Sequence, residues 1–457
     1  MKWKTGQLAL VALFAVVALI AGLITWAGIA LGKSGEAAQS PLNRPTPASS
    51  SYSLFPPAQN ASTEDFSAKS QALNGIFDGA QGNFTASVID VSTGETVFSR
   101  NGDTAGVPAS SLKTLTVAAA LQSFPSTHRF ATTTLLGADG TLYLRGGGDV
   151  LLGAGENSSR ISGRAGLASL AEQTAKILKD DAAAPSSVRI VLDDSLFTGD
   201  ALLPAWDKSL MTSGNISAVQ PLAMWGARSS EAEKAGRVSD PAMTAAQVFE
   251  KALSSALSGA KTSVSGEVSR GTTAADAREL TKVEGATVSE VVEFMGEESD
   301  NYVAEALGRL VALQQGKPAS FEGATAAILE KTAALGVRTD GIQMVDASGL
   351  SADNRVSPSQ LTAVLAAASR STNRALRDMP YAFPIAGLSG TLDTRLTDSS
   401  VAGVARAKTG TLAGVTTLTG TLVDGTGRQL VFSLFASDVT SLSDARATLD
   451  RAVAALI

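Results

Sequence analysis

PASSLKTLT, Pro108 to Thr116, is the stretch on which the reading of this chain turns. It stands just after a glycine-containing turn and opens a helix, with Ser110 at its start and Lys113 one turn in. Side chains three apart on a helix share a face. A serine hydroxyl is a poor nucleophile at neutral pH and needs a base within hydrogen-bonding reach. The positive end of the helix dipole also favours an oxyanion developing at that position. Ser110 and Lys113 are therefore a candidate nucleophile and base. A second Ser-x-x-Lys, Ser258 to Lys261, sits at the tail of its helix beside Gly259, where the dipole has the wrong sign.

The remaining composition narrows what such a serine can use. The chain has 457 residues, 44% hydrophobic and 18% charged, enough for two or three domains with sizeable cores. A net charge of −6 over that length leaves no basic footprint and argues against a nucleic-acid partner. There is no cysteine, so disulfides and thiolate metal sites are excluded. The single histidine, His128 in FPSTHRFATT, reads as a solvated loop residue between a helix and a strand. One imidazole cannot build a zinc peptidase site, and a Ser-His-Asp hydrolase would have to use that loop residue. A base other than histidine is expected.

From Thr5 to Gly32 the chain carries no charge, which is long enough to span a bilayer. Lys2 and Lys4 precede the span and orient the N-terminus to the cytoplasm. A cleaved signal peptide is the alternative, but its apolar part is usually shorter and EAAQS (Glu36–Ser40) is a poor cleavage site. An uncleaved anchor with everything after Lys33 outside the membrane is the expectation. Five prolines among serines and alanines then make a tether to about Ser62.

Beyond it, a helix is expected over Phe66–Phe77, with strands in NFTASVIDV and ETVFSR around the turn Ser92-Thr93-Gly94. The middle of the chain mixes strands (TLYLRGGGDVLL, SVRIVLDDSLF) with an amphipathic helix (TAAQVFEKALSSALSG). Gly146 to Gly148 is read as a structural turn, because no Gly-Lys-Ser/Thr follows it. Helices dominate after Thr287. Strands return in VARAKTG, GVTTLTGTLVD and RQLVFSLFASD before a final helix. Strands at both ends suggest one sheet that joins the two ends of the folded chain around a middle insertion.

To act as a base Lys113 must be neutral, which calls for burial or a second nearby cation. Lys408, in the strand AKTGTL, is the candidate, and Gly410 beside it lets a substrate backbone approach closely. The other Lys-Thr-Gly, Lys4 to Gly6, lies on the wrong side of the span. Ser-x-Asn occurs at Ser213-Gly214-Asn215, Ser299-Asp300-Asn301 and Ser371-Thr372-Asn373. The middle one lies between GATVSEVVEFMG and NYVAEALGRL, where a turn held by two helices can aim a hydroxyl and an amide at one cleft. Taken singly, Ser110 and Asn301 could be helix caps, Lys113 a surface charge and Lys408 an edge-strand charge.

In this order, Ser-x-x-Lys, Ser-Asp-Asn and Lys-Thr-Gly match the motif set of the penicillin-recognising active-site-serine enzymes. PASSLKTLT, LYLRGGGDVLL, VLDDSLFTGD, VDASGLSADNRVSP, PIAGLSGTLDTRL and AKTGTLAGV resemble segments of one branch of them. That branch is the D-alanyl-D-alanine carboxypeptidase/endopeptidase family of low-molecular-mass penicillin-binding proteins, the DacB type. The similarity runs from about Asn83 to Phe435. Ser299 follows Ser110 by 189 residues, which leaves room for the inserted domain that marks this type, although the insert is shorter than usual there.

The resemblance implies an α+β, penicillin-binding-protein/β-lactamase-like fold: an antiparallel sheet flanked by helices plus an all-helical part, with an inserted mixed α/β domain and a preceding transmembrane helix. The expected parts are 1–33 (cytoplasmic stub and anchor), 34–62 (linker), 63–130 and 285–457 (catalytic domain) and 131–284 (insert). It also implies two-step acyl transfer on peptidoglycan stem peptides ending in D-Ala-D-Ala, with covalent inhibition by β-lactams. In that scheme Ser110 attacks, Lys113 takes its proton and Ser299 relays a proton to the leaving amine. Asn301 binds the substrate's peptide amide, Lys408 and Thr409 hold the terminal carboxylate beside Gly410, and the N–H groups of Ser110 and Thr411 form the oxyanion hole. No metal or cofactor is implied. A β-lactamase-like or esterase hydrolase, an endopeptidase cutting cross-links and a silent cell-wall scaffold remain the alternatives. No glutamate is placed by motif to activate water for the first, and the intact motifs weigh against the last.

Overall fold

A computed structural model describes residues 66–232, 235–397 and 400–457. The expected membrane span and linker lie outside the described residues. Among those described, no helix is long and apolar enough to cross a membrane.

The described chain enters through α1 (Ser67–Asp78) and a hairpin, β1 (Asn83–Asp90) with β2 (Thr96–Arg100). A 3-10 turn, Ala109–Leu112, leads into α2 (Lys113–Ser123). There follow β3 (Arg129–Leu136), β4 (Thr141–Gly146), α3 (Leu167–Asp180), β5 (Ser187–Asp193) and α4 (Pro241–Ala256). After these come β6 (Ser263–Val264), β7 (Ser269–Arg270) and β8 (Arg278–Thr287). Four helices come next: α5 (Val288–Glu298), α6 (Asn301–Gln314), α7 (Phe321–Ala334) and α8 (Pro358–Ser369). The chain closes with β9 (Arg406–Leu412), β10 (Val415–Val423), β11 (Gln429–Ser437) and α9 (Leu442–Ala454).

Two sheets result. The first is antiparallel in the order β2-β1-β11-β10-β9, so strands from the two ends of the described chain pair at its centre. β1 is buried along nearly its whole length because both faces are covered. Phe84, Ala86 and Val88 enter one core with α1 and α9. Ile89 enters the other, among the central helices, and Ser87 meets Thr362 of α8 at 2.9 Å. The second sheet, β6-β5-β4-β3-β8 with β7 also on β5, is mixed, and α3 and α4 pack on it through a third core.

Local chemistry sets the helix starts near the site. Thr287 and Glu290 form a reciprocal capping box on α5, and Ser357 and Gln360 do the same on α8 with Pro358 at the first helical position. The helix expected from Ser110 begins three residues later, at Lys113, with Ser110 held in the 3-10 turn. Ala109 has φ +45°, a left-handed conformation that regular helix cannot run through. Two glycines let neighbouring backbone crowd this turn. A Cβ on Gly349 (φ +78°) would lie 1.9 Å from the Ala109 carbonyl oxygen, and one on Gly410 would lie 2.8 Å from that of Pro108. The side of Gly410 left bare is thus filled by the turn carrying Ser110 and by Thr417 rather than kept open.

Candidate active site

α2 is buried on every side down to Leu121, and Lys113 at its first position is completely shielded from solvent. Its Nζ donates to Ser110 Oγ (2.9 Å), Asn301 Oδ1 (2.7 Å) and the Ser348 carbonyl (2.8 Å). Burial pulls its pKa from 10.5 down to about 8, against the opposing charges of Asp346, Glu305 and Asp300. A neutral lysine has two N–H bonds and one lone pair. With Asn301 Oδ1 and the Ser348 carbonyl taking the two N–H bonds, the lone pair is left facing Ser110 Oγ. Ser110 itself is half-exposed at the site.

The loop carrying Ser348 is fixed by buried carboxylates. Asp346 accepts from the N–H groups of Gly349 (2.8 Å) and Ser351 (2.7 Å), from Trp206 Nε1 (3.0 Å) and from Asn354 Nδ2 (2.8 Å). Glu305 accepts from the N–H groups of Ala347 (3.0 Å) and Ser348 (2.8 Å). Burial and the neighbouring Asp346 push the Glu305 carboxyl up.

Ser299 and Asn301 come from the tight turn between α5 and α6, with Ser299 left-handed at φ +54°. Asp300 between them points away from the cleft, caps α6 through the Val303 N–H (3.1 Å), and pairs with Arg228 (2.6 Å) and Arg237 (3.0 Å). Those two guanidiniums keep Asp300 below the usual carboxylate range although it is fully buried. Asn301 Nδ2 donates to the Asn215 carbonyl at 3.1 Å, which fixes the amide with its oxygen toward Lys113.

Lys408, on β9, is as buried as Lys113. Its Nζ donates to Ser299 Oγ (2.8 Å) and to the Thr409 carbonyl (2.9 Å). Burial, then the charge of Lys113, lowers its pKa well below the ordinary value. Thr409 Oγ1 bonds Thr391 Oγ1 at 2.8 Å, and Thr411 stands exposed two residues on. Ser110, Lys113 and Asn301 therefore form one hydrogen-bonded group and Ser299 with Lys408 a second, the two joined through the Ser299-Asp300-Asn301 turn, with Thr409, Gly410 and Thr411 continuing along the β9 edge.

The decoys fall elsewhere. Ser258 and Lys261 lie past the end of α4, where Lys261 reaches the Ala182 carbonyl. Asn373 caps a short helix. His128 is exposed, stacked on Phe124 with ring centroids 5.2 Å apart, beyond the C-terminal end of α2 and so at the far end of that helix from Ser110. Ser213-Gly214-Asn215 is no second copy of the motif, but its Asn215 carbonyl touches the true one. Sequence reasoning missed Arg228, Arg237, Glu305, Asp346 and Ser348. Glu305 had a signal, standing four residues after Asn301 as the one acidic residue of a largely apolar helix. The arginines had none, being 72 and 63 residues from Asp300.

The model of the D-Ala-D-Ala carboxypeptidase 3 (S13) family matches residues 71–231 and 221–456. Carboxypeptidase DacB of Mycolicibacterium smegmatis is 33% identical over 434 residues, covering 93% of this chain and 92% of that protein. The D-alanyl-D-alanine carboxypeptidase of Actinomadura sp. is 27% identical, covering 76% of each. The crystal structure of penicillin binding protein 4 of Haemophilus influenzae shares the fold with a TM-score of 0.66 at 21% identity, over 85% of this chain and 97% of that one. With its three motifs joined in one site and both halves of the chain matched, the protein belongs to the D-Ala-D-Ala carboxypeptidase 3 (S13) family.

Proposed function

We propose that this protein is a serine-type D-alanyl-D-alanine carboxypeptidase that trims peptidoglycan stem peptides through an acyl-enzyme and is acylated by β-lactams. The observation that carries the reading is the buried Lys113 amine, 2.9 Å from Ser110 Oγ and lowered to about 8. It supplies a base near neutrality without histidine.

In the first step Ser110 Oγ attacks the carbonyl of the penultimate D-Ala while its proton passes to Lys113. The N–H groups of Ser110 and Thr411 receive the developing oxyanion. Ser299, held by Lys408, relays that proton to the departing D-alanine nitrogen: it gives up its own hydroxyl proton as the C–N bond breaks and regains one from Lys113, which returns to its neutral form. Asn301 meets the substrate's peptide amide, and the Lys408 amine, whose protonated form an arriving carboxylate favours, holds the terminal carboxylate with the hydroxyl of Thr409. Water then hydrolyses the ester by the reverse proton path. The N-terminal segment anchors the enzyme in the cytoplasmic membrane with the catalytic part outside, a reading supported by the charge-free Thr5–Gly32 and the lysines ahead of it.

Incubation with fluorescent penicillin, digestion and mass spectrometry test the assignment. The adduct is expected on Ser110 and absent from Ser110→Ala. An adduct on any other residue, or none on the folded protein, would overturn it.

A further inference from the structure

The exposed end of β9 meets a cation that belongs to none of the three motifs. Arg446, half-buried on α9, donates from Nη2 to Thr411 Oγ1 at 3.1 Å. Among the described residues this is the one hydrogen-bond partner Arg446 has, and no carboxylate pairs with it. Its neighbours on the helix are engaged elsewhere: Asp450 pairs with Arg395 at 2.6 Å, and Arg451 donates to Thr448 at 3.0 Å.

The chemistry of that contact has a direction. A threonine hydroxyl carries one proton and two lone pairs, whereas a guanidinium donates and never accepts. With a lone pair of Thr411 taken by Arg446, the hydroxyl proton is turned toward whatever else approaches. Strand alternation puts Thr411 on the face of Thr409 and opposite to Lys408. Thr409 is already tied to Thr391, and Lys408 is buried against Ser299. At the exposed end of this edge, the donor with a free proton and a permanent charge behind it is therefore the Thr411–Arg446 pair.

We propose that Arg446 is a positioning and specificity-determining residue for the substrate's terminal carboxylate, acting through Thr411. It holds the Thr411 hydroxyl as a donor and places a fixed positive charge behind it. This rests on the reading that the carboxylate lies along Lys408–Thr411.

The test compares two acyl donors on the full chain in detergent, one ending in a free carboxylate and one with that carboxylate converted to an amide. The readout is the ratio of their kcat/KM values. Arg446→Ala should lower the ratio about tenfold, the range expected for loss of a hydrogen bond to a charged group. Arg446→Lys, which keeps the charge and the aliphatic stem, should recover part of it. Thr411→Val should lower the ratio comparably, and the double variant should fall little below Thr411→Val alone. A ratio lowered by Thr411→Val but not by Arg446→Ala overturns this inference and leaves the carboxylate reading standing. A ratio unmoved by either overturns this inference, and the carboxylate reading itself falls only if Lys408→Ala also leaves the ratio unmoved.

Discussion

Acylation of Ser110 should follow the neutral fraction of Lys113 as pH changes, and the structure sets where the curve bends. With its pKa at about 8, Lys113 loses a proton over the range in which an ordinary lysine, at 10.5, stays charged. The neutral fraction is about 1% at pH 6, 50% at pH 8 and 99% at pH 10. The acylation rate should then rise about 50-fold from pH 6 to 8 and about 2-fold from pH 8 to 10. A lysine with the ordinary value would give a further rise of roughly 75-fold between pH 8 and 10. Stopped-flow measurement of acylation by a chromogenic β-lactam, with the covalent product confirmed by mass, reads this curve. An acyl donor without a carboxylate separates it from titration of the charge on Lys408, which acts on carboxylate binding. A rate that keeps climbing steeply above pH 9 would show that burial does not neutralise Lys113. A flat profile from pH 6 to 8 would show that Lys113 is not the base.

Removing the carboxylate of Asp300 takes away the charge it sets against two largely buried guanidiniums, Arg228 and Arg237, and leaves α6 uncapped, so Asp300→Ala should cost about 3–5 kcal/mol. Calorimetry should show a clearly lowered Tm together with slower penicillin labelling, and a loss under about 1 kcal/mol would mean that the clamp adds nothing net. Asp149 is buried beside Gly285 with one oxygen bonded to the Leu151 N–H and the other, Oδ2, unpartnered among the described residues, and burial pushes its pKa up to about 7. Because the folded value is the higher one, its contribution is fully present below about pH 4 and is lost as pH rises to about 7, by up to roughly 4 kcal/mol. Asp149→Asn should flatten that slope in urea titrations at pH 5 and 8, and parallel slopes in both proteins would refute the assignment. The full chain should fractionate with membranes, while residues 63–457 made alone should be soluble and label fully with penicillin. A full chain recovered free in the medium, with its first residue between Gly32 and Ser40, would identify a long signal peptide instead.

What the sequence disclosed was the chemistry carried by short, local spacings. Ser110 and Lys113 lie three residues apart, and Ser299 and Asn301 two apart. The position of each pair, at a helix entry or between two helices, told them from their decoys. The catalytic sheet was legible for a related reason: β1, β10 and β11 are runs rich in β-branched and apolar residues bounded by turn residues. What joins the motifs was not legible. Asp300 is clamped by arginines far away in the chain, and MWGAR has no local pattern that foretells Arg228 reaching it. Lys408 was picked out by its motif, but its burial against Ser299 depends on how the sheet and helices pack. The late start of α2 was hidden too, since the strained turn at Ala109 is set by contacts with residues 349 and 410.

The pairing of β1 with β11 also imposes a timetable. Asp90 leaves the ribosome 339 residues before Gln429, which at about 5–20 residues per second is a wait of roughly 20 s to a minute. Through that interval one edge of β1 has no strand beside it, an open template for wrong partners. Ser110, Lys113 and Ser299 are made within the same interval, but Lys408 arrives only with the last strands. The nascent chain is therefore inert until β11 has been made. Any fragment ending before β11 carries the nucleophile on a sheet that cannot close, so premature termination should yield aggregation-prone chains rather than partly active ones.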